Sequence, residues 1–154
     1  MAADPSPDWP AMVAFYNQIN HYGRANGMAL TVPAPGQAVY EMTIRPDHLS
    51  SPHTAHGGVL AGLMDAALGA AALSLAFVGQ ELVSTVEFKM NYFQAVHLHD
   101  VLQAEAIVEH PGQRLLVSSC VVYRLSPDGT RGEAVARGLG TFNRYPATKR
   151  ELNE

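Results

Sequence analysis

Asp65 is the only charged residue between His56 and Val78, in a run that is otherwise almost wholly apolar. Burying a carboxylate costs several kcal/mol unless it is paired or hydrogen-bonded, and aspartate is a poor residue for a helix interior. An expensive residue in an otherwise inert segment points to a functional site; a carboxylate that caps nearby backbone or meets a lysine is the competing reading. Seven to nine residues earlier stand His56, Gly57 and Gly58, at the expected mouth of the same helix. The first turn of a helix has N–H groups without internal acceptors, and the helix dipole adds positive potential there. Exposed by glycines, the Gly57 and Gly58 amides could bind an oxyanion or a polarised carbonyl oxygen. Alternatively, the two glycines only turn the chain or allow close packing.

The spacing constrains how the two features could meet. From Gly57 to Asp65 is roughly 12 Å along a helix axis and about 80° around it. An aspartate side chain is too short to bridge that distance within one helix. Two antiparallel helices related by a twofold axis could bring each carboxylate beside the other's glycine amide. The geometry predicts a site shared between protomers.

The elements that would position these residues follow from periodicity. Trp9, Met12, Val13, Tyr16 and Ile19 recur at helical spacing, which predicts an amphipathic helix over about 7–26, ended by Gly27. Met28 to Val32 and Gln37 to Ile44 read as a strand pair broken by Pro33-Ala34-Pro35-Gly36. After a loop from Pro46 to Ala55 comes the long apolar helix, His56 to Val78. The period then changes to two. Leu82, Val86, Phe88, Met90 and Tyr92 alternate with Val83, Thr85, Glu87, Lys89 and Asn91, the pattern of a half-buried antiparallel strand. Further strands are separated by His110-Pro111-Gly112-Gln113 and by Ser126-Pro127-Asp128-Gly129. The last is expected over about Glu133 to Phe142, with a loose tail from about 146 to 154.

This order implies one domain spanning 1–154 in an α+β layer structure, with the four later strands antiparallel. A single curved sheet would leave part of the apolar helix open, which favours a partner subunit. Gly62, Ala66, Gly69 and Ala70 would permit close approach there.

Bulk properties narrow the function. With 47% hydrophobic and 16% charged residues the 154-residue chain is globular in composition. A formal net charge of -4 gives no basic footprint for nucleic acid. The one cysteine, Cys120, excludes an internal disulfide and a cysteine-based zinc site, fits a cytoplasmic setting and reads as a buried structural thiol. Met1-Ala2-Ala3-Asp4-Pro5 lacks the basic start and apolar core of a secretory signal. Val59 to Val78 is long enough to span a bilayer. The internal Asp65, the dominance of Gly and Ala, and the lack of flanking basic residues argue instead for a buried helix. His97 and His99 beside Asp100 lack a companion cluster for a metal site, and neither a Gly-x-Ser-x-Gly elbow nor a P-loop is present. No cofactor is implied.

The run His56-Gly57-Gly58-Val59-Leu60-Ala61-Gly62-Leu63-Met64-Asp65-Ala66-Ala67 resembles the signature of hotdog-fold acyl-CoA thioesterases of the phenylacetate-pathway (PaaI-like) type. Thr85 to Ala95 resembles the strand after the helix in that family, and Ala134-Val135-Ala136-Arg137-Gly138 with Gly140-Thr141 its last strand. The resemblance covers roughly Gly27 to Arg144. It implies a hotdog fold, a curved antiparallel sheet around the central helix, in a homodimer or a dimer of such dimers. It implies hydrolysis of an acyl-CoA with the Gly57 N–H polarising the thioester carbonyl. Asp65 of the other subunit would then activate water or attack directly. Thr85 matches a position where the family often has Ser or Thr near that carboxylate; strand parity puts Thr85 on the polar face and Ser84 on the core face, which leaves both hydroxyls open. His56 matches a residue near the departing sulfur. Where the family commonly carries Asn and then Gly ahead of the helix, this chain has Ser50 and His53, either of which could meet the leaving group. Arg114, Arg137 and Arg144 are candidates for the phosphates of CoA. A hotdog module that binds acyl-CoA without turnover is the alternative. A hotdog dehydratase or hydratase would need an Asp and His pair in another arrangement, which is not found.

Overall fold

The computed structural model describes residues 7–148. Asp8 accepts the Ala11 N–H and starts helix α1, Trp9–Ile19, with Pro10 in the first turn, where its missing N–H costs nothing. The single helix expected over 7–26 is in fact two. Asn20 leaves the helical region (φ -77°, ψ 85°) and its side chain accepts the Gly23 N–H, opening a new helix α2, His21–Ala25. An asparagine bonds its neighbouring backbone readily, so it caps better than it continues. Gly27, at φ +69°, ends α2.

Strands β1 (Ala29–Thr31) and β2 (Gln37–Thr43) form an antiparallel pair around the expected turn, with Gly36 at φ +82°. Helix α3 spans Gly57–Ala76 and runs on into a 3-10 turn, Phe77–Gly79. Four strands follow: β3 (Glu81–Tyr92), β4 (Val101–Pro111), β5 (Leu115–Leu125) and β6 (Arg131–Pro146). All six strands lie in one antiparallel sheet of order β1-β2-β4-β5-β6-β3. Sequence neighbours β3 and β4 do not pair. The link between them is stitched to the loop before α3 by Ala55 N–H to the Val96 carbonyl, 2.8 Å, and Leu98 N–H to the His53 carbonyl, 3.1 Å. That stitching carries the chain to β2 and leaves β3 at the sheet edge beside β6.

β6 also runs further than expected: Asn143 to Pro146 pair with Ser84 to Glu81, and the Ala147 N–H donates to the Gln80 carbonyl. The part of the expected loose tail from 149 on lies outside the described residues.

The sheet curls around α3. Tyr40, Met42, Ile44, Leu102, Leu116, Val122 and Phe142 are fully buried against Leu63, Met64, Leu68 and their helical neighbours. Each such side chain contributes about 1.5–3 kcal/mol relative to exposure. β6 approaches the helix so closely that a Cβ at Gly138 would lie 2.8 Å from the Met64 sulfur and 2.9 Å from the Lys89 carbonyl oxygen. Two of the small residues of α3 are met by the chain itself: the Tyr22 hydroxyl sits over Gly62 and the Phe142 ring against Gly69. Gly57–Gly79 is long and apolar enough to cross a membrane by length and composition, but 56% of its most apolar window is buried inside this fold.

Candidate active site

The loop before α3 is a short, tied structure. His48 is buried; its Nδ1 accepts the Arg45 N–H at 3.0 Å and its carbonyl accepts the His56 N–H at 2.8 Å. Burial holds the His48 imidazole below the ordinary histidine range, with Arg45 adding to the effect and Asp47 opposing it. His56 then caps α3: its Nδ1 accepts the Gly58 N–H at 2.8 Å, and its carbonyl accepts the Val59 N–H. A Cβ at Gly58 would lie 2.8 Å from that nitrogen, so glycine permits the cap.

This cap changes the expectation for the paired glycines. The Gly58 N–H is taken by His56, whereas the Gly57 N–H has no acceptor among the described residues. Gly57 is exposed at the first position of a 20-residue helix, where the dipole favours negative charge. The Tyr92 hydroxyl donates to the Gly57 carbonyl at 2.8 Å, and the ring lies 3.5 Å from where a Gly57 Cβ would be. Tyr92 and His48 therefore both hold the helix mouth. The alternation marked Tyr92 only as a core-facing aromatic, and nothing in sequence spacing singled out His48.

Asp65 lies half-buried two turns along α3, and the Thr85 hydroxyl donates to its Oδ1 at 2.9 Å. Strand parity had put Thr85 on the polar face and Ser84 inward; the structure reverses them. Thr85 pairs with Phe142 and Glu87 with Thr141, so Val86 is an extra residue, a bulge. A bulge shifts the alternation by one. Before it the odd residues Val83 and Thr85 face the helix; after it the even residues Phe88 and Met90 do. Ser84 turns to the outer face and is exposed.

One chain does not bring the carboxylate to the open amide: the eight-residue step from Gly57 to Asp65 keeps roughly 12 Å of helix rise between them. The Ser50 and His53 side chains are exposed in the loop, with the Ser50 N–H donating to the Thr54 carbonyl. The arginines also stay apart. Arg114 is exposed beside Leu115, which aligns across β6 with Ser84, and Arg137 is exposed beside Asn91, seven residues and roughly 23 Å further along β3. Arg144 is engaged by Glu81 and the Gly112 carbonyl. Asp100 is taken by Arg124 at 3.0 Å, and no group of three or more His, Cys, Asp or Glu positioned to hold a metal ion occurs among the described residues.

An apolar groove of about 250 Å³ runs between α1 and the second half of α3. Tyr16 stands in its wall. Burial raises the Tyr16 hydroxyl above the usual phenol range; its hydrogen bond with Tyr40 opposes this, and the nearby Asp65 charge adds to it.

Comparisons with known proteins identify the family and the fold. Residues 53–130, which include the helix mouth, Asp65 and Thr85, match the family model of the Thioesterase superfamily. Comparison with curated proteins finds no match. Among solved structures, PaaI of the phenylacetic acid degradation operon of E. coli is 24% identical, with a TM-score of 0.78 over 91% of this chain and 94% of that one. A conserved protein of Pseudomonas aeruginosa is 29% identical, with a TM-score of 0.73 over 86% and 99%. A hypothetical thioesterase of Streptococcus pneumoniae solved with coenzyme A is 22% identical, with a TM-score of 0.67 over 79% and 88%. The chain belongs to the Thioesterase superfamily and is a thioester hydrolase with the PaaI-like hotdog fold.

Proposed function

We propose that the protein hydrolyses acyl-CoA thioesters in two equivalent sites of a homodimer, each built from Gly57 of one protomer and Asp65 of the other. The observation that carries this reading is the pairing of an open Gly57 N–H at a helix N-terminus with a carboxylate held by Thr85 at 2.9 Å. The thioester carbonyl oxygen accepts the Gly57 N–H, which stabilises the charge that develops there. Asp65 takes a proton from water as the water oxygen attacks the carbonyl carbon; alternatively its own oxygen attacks and water then opens the mixed anhydride. In both routes the C–S bond breaks and CoA leaves as a thiolate, a good leaving group that needs no strong acid. His56, whose Nδ1 accepts a hydrogen bond, carries its neutral-form proton on Nε2 and can meet that sulfur. Ser50 and His53 stand in the same loop, and Arg114 and Arg137 are exposed cations available to the CoA phosphates.

Two features support a dimer. A site that uses both Gly57 and Asp65 needs a second helix, because roughly 12 Å of helix rise separates them within one chain. In addition, β3 is a 12-residue edge strand with exposed Val86 and Tyr92, the kind of edge that proteins normally cover or pair. A pair of such dimers is a compatible assembly. The single buried thiol, Cys120, suits a cytoplasmic setting.

The test is free-thiol release from acetyl-, octanoyl- and phenylacetyl-CoA by the wild type and by Asp65→Asn, which keeps the size and removes the charge. The expected loss in kcat is about 10²-fold or more with folding and assembly unchanged. Turnover that survives in Asp65→Asn, or CoA binding without any thiol release by the wild type, would overturn the proposal.

A further inference from the structure

Strand β3 carries two side chains that hydrogen-bond to α3, and strict alternation could not put both there. Thr85 and Tyr92 are seven residues apart, an odd step that places side chains on opposite faces of a regular strand. The bulge at Val86 takes one residue out of the count. Thr85 therefore meets Asp65 and Tyr92 meets the mouth of the same helix, with hydrogen bonds of 2.9 and 2.8 Å. The backbone around Tyr92 is fixed by the sheet: Asn91 pairs with Arg137, Tyr92 with Ala136, and the Phe93 N–H donates to the Val135 carbonyl at 2.8 Å.

At the helix mouth, two peptide groups flank the Gly57 Cα, and three of their four polar atoms are held. The His56 carbonyl accepts the Val59 N–H at 3.0 Å. The Gly58 N–H donates to His56 Nδ1 at 2.8 Å. The Gly57 carbonyl accepts the Tyr92 hydroxyl at 2.8 Å. The fourth atom is the open Gly57 N–H itself. The first two bonds lie within the His56–Val59 turn and move with it; of the three, only the Tyr92 bond comes from outside that turn and ties it to the sheet. A carbonyl oxygen has two lone pairs, so this bond adds to the helical one instead of replacing it. Glycine has more backbone freedom than any other residue, so the direction of the Gly57 N–H is only as fixed as these anchors make it. Direction matters because a donor stabilises developing charge best when it already points to where that charge appears.

We propose that Tyr92 is a positioning residue for thioester hydrolysis: its hydroxyl fixes the Gly57 peptide so that the open N–H faces the thioester oxygen. The proposal rests on the Gly57 oxyanion reading above. Together with Thr85 on Asp65, it makes the bulged strand β3 the element that aligns both groups of the site. Tyr92→Phe keeps the ring and removes the hydroxyl, and Tyr92 is exposed, so the fold survives the change. Thiol release from acetyl-, octanoyl- and phenylacetyl-CoA is expected to show kcat lower by about 3- to 10-fold. KM should stay within about twofold, because the contact counts only once charge develops. A second readout needs no turnover. Gly57-Gly58 is the only Gly-Gly pair in the sequence, so protein labelled with glycine carrying 13C at the carbonyl and 15N gives a single directly bonded 13C–15N pair. Tyr92→Phe is expected to move the Gly57 carbonyl resonance upfield and to speed exchange of the Gly58 amide about threefold or more. Full kcat in Tyr92→Phe, a loss confined to KM, or an unmoved Gly57–Gly58 signal would overturn the proposal. Gly57→Pro separates it from the reading beneath. If Gly57→Pro is inactive and Tyr92→Phe keeps its rate, only the role of Tyr92 falls; if folded Gly57→Pro keeps the wild-type kcat, the oxyanion reading falls and the proposal with it.

Discussion

Thr85→Val is the sharpest perturbation of the proposed site. Valine keeps the shape of threonine and removes only the hydroxyl that donates to Asp65 Oδ1 at 2.9 Å. A hydrogen bond to a charged group is worth about 1.5–3 kcal/mol. If it orients the carboxylate for attack, its loss appears in the barrier as a fall in kcat of about 10- to 100-fold. Thr85 is exposed on the single chain, where water competes for the carboxylate, so the lower end of that range is expected unless a partner covers the site. Thr85→Ser restores the donor and should recover most of the rate. Ser84→Ala is the control, because the bulge at Val86 turns Ser84 to the opposite face; its rate should stay within about twofold of wild type. The assay is thiol release at saturating acyl-CoA, with circular dichroism to confirm folding. A Thr85→Val enzyme at full kcat, or an equal loss in Ser84→Ala, would refute the assignment of Thr85 as the residue that positions Asp65.

Two predictions concern the scaffold. Gly138→Ala should destabilise the fold by about 1–3 kcal/mol in urea melts, because the new methyl would lie 2.8 Å from the Met64 sulfur and 2.9 Å from the Lys89 carbonyl oxygen. Burial pushes the Cys120 thiol up to about 12, from 9.0 in the unfolded chain, with Glu105 adding to the shift. The stabilisation is present below the unfolded value and lost as pH rises through the window between the two, because only the unfolded chain releases the proton there. Stability should fall by about 1.4 kcal/mol per pH unit above pH 9 from this group, and Cys120→Ala, compared over that range, should show the shallower slope.

What the sequence made legible, and what it hid, follows from where each feature is encoded. Asp65 and Gly57 stood out locally: one is costly in an apolar run, the other opens a helix, and both lie where the pattern puts them. The long helix and the six strands followed from periodicity for the same reason. Thr85 and Ser84 were interchanged because the alternation of apolar residues continues from Leu82 to Tyr92 in the sequence, whereas one residue, Val86, is extruded by pairing with β6. A bulge is a property of the pair of strands, not of either one. The break at Asn20 was hidden because the apolar spacing of α1 reaches Ile19 without interruption and the cap bond to Gly23 is local and polar. The roles of His48 and Tyr92 depend on tertiary contacts with the helix mouth, as does the edge position of β3.

Subunit complementation addresses the central claim most directly, that Gly57 and Asp65 of different protomers make one site. Asp65→Ala and Gly57→Pro are each expected to be inactive, the second because proline removes the N–H proposed to hold the oxyanion. Gly57→Pro is first shown to fold and to exchange subunits. Mixed one to one, half the dimers are hybrid, and each hybrid carries one intact site beside one doubly damaged site. Thiol release should return to about a quarter of the wild-type rate. Two residues serving a site within one protomer would leave every site with a lesion, and a mixture that stays inactive would contradict the account.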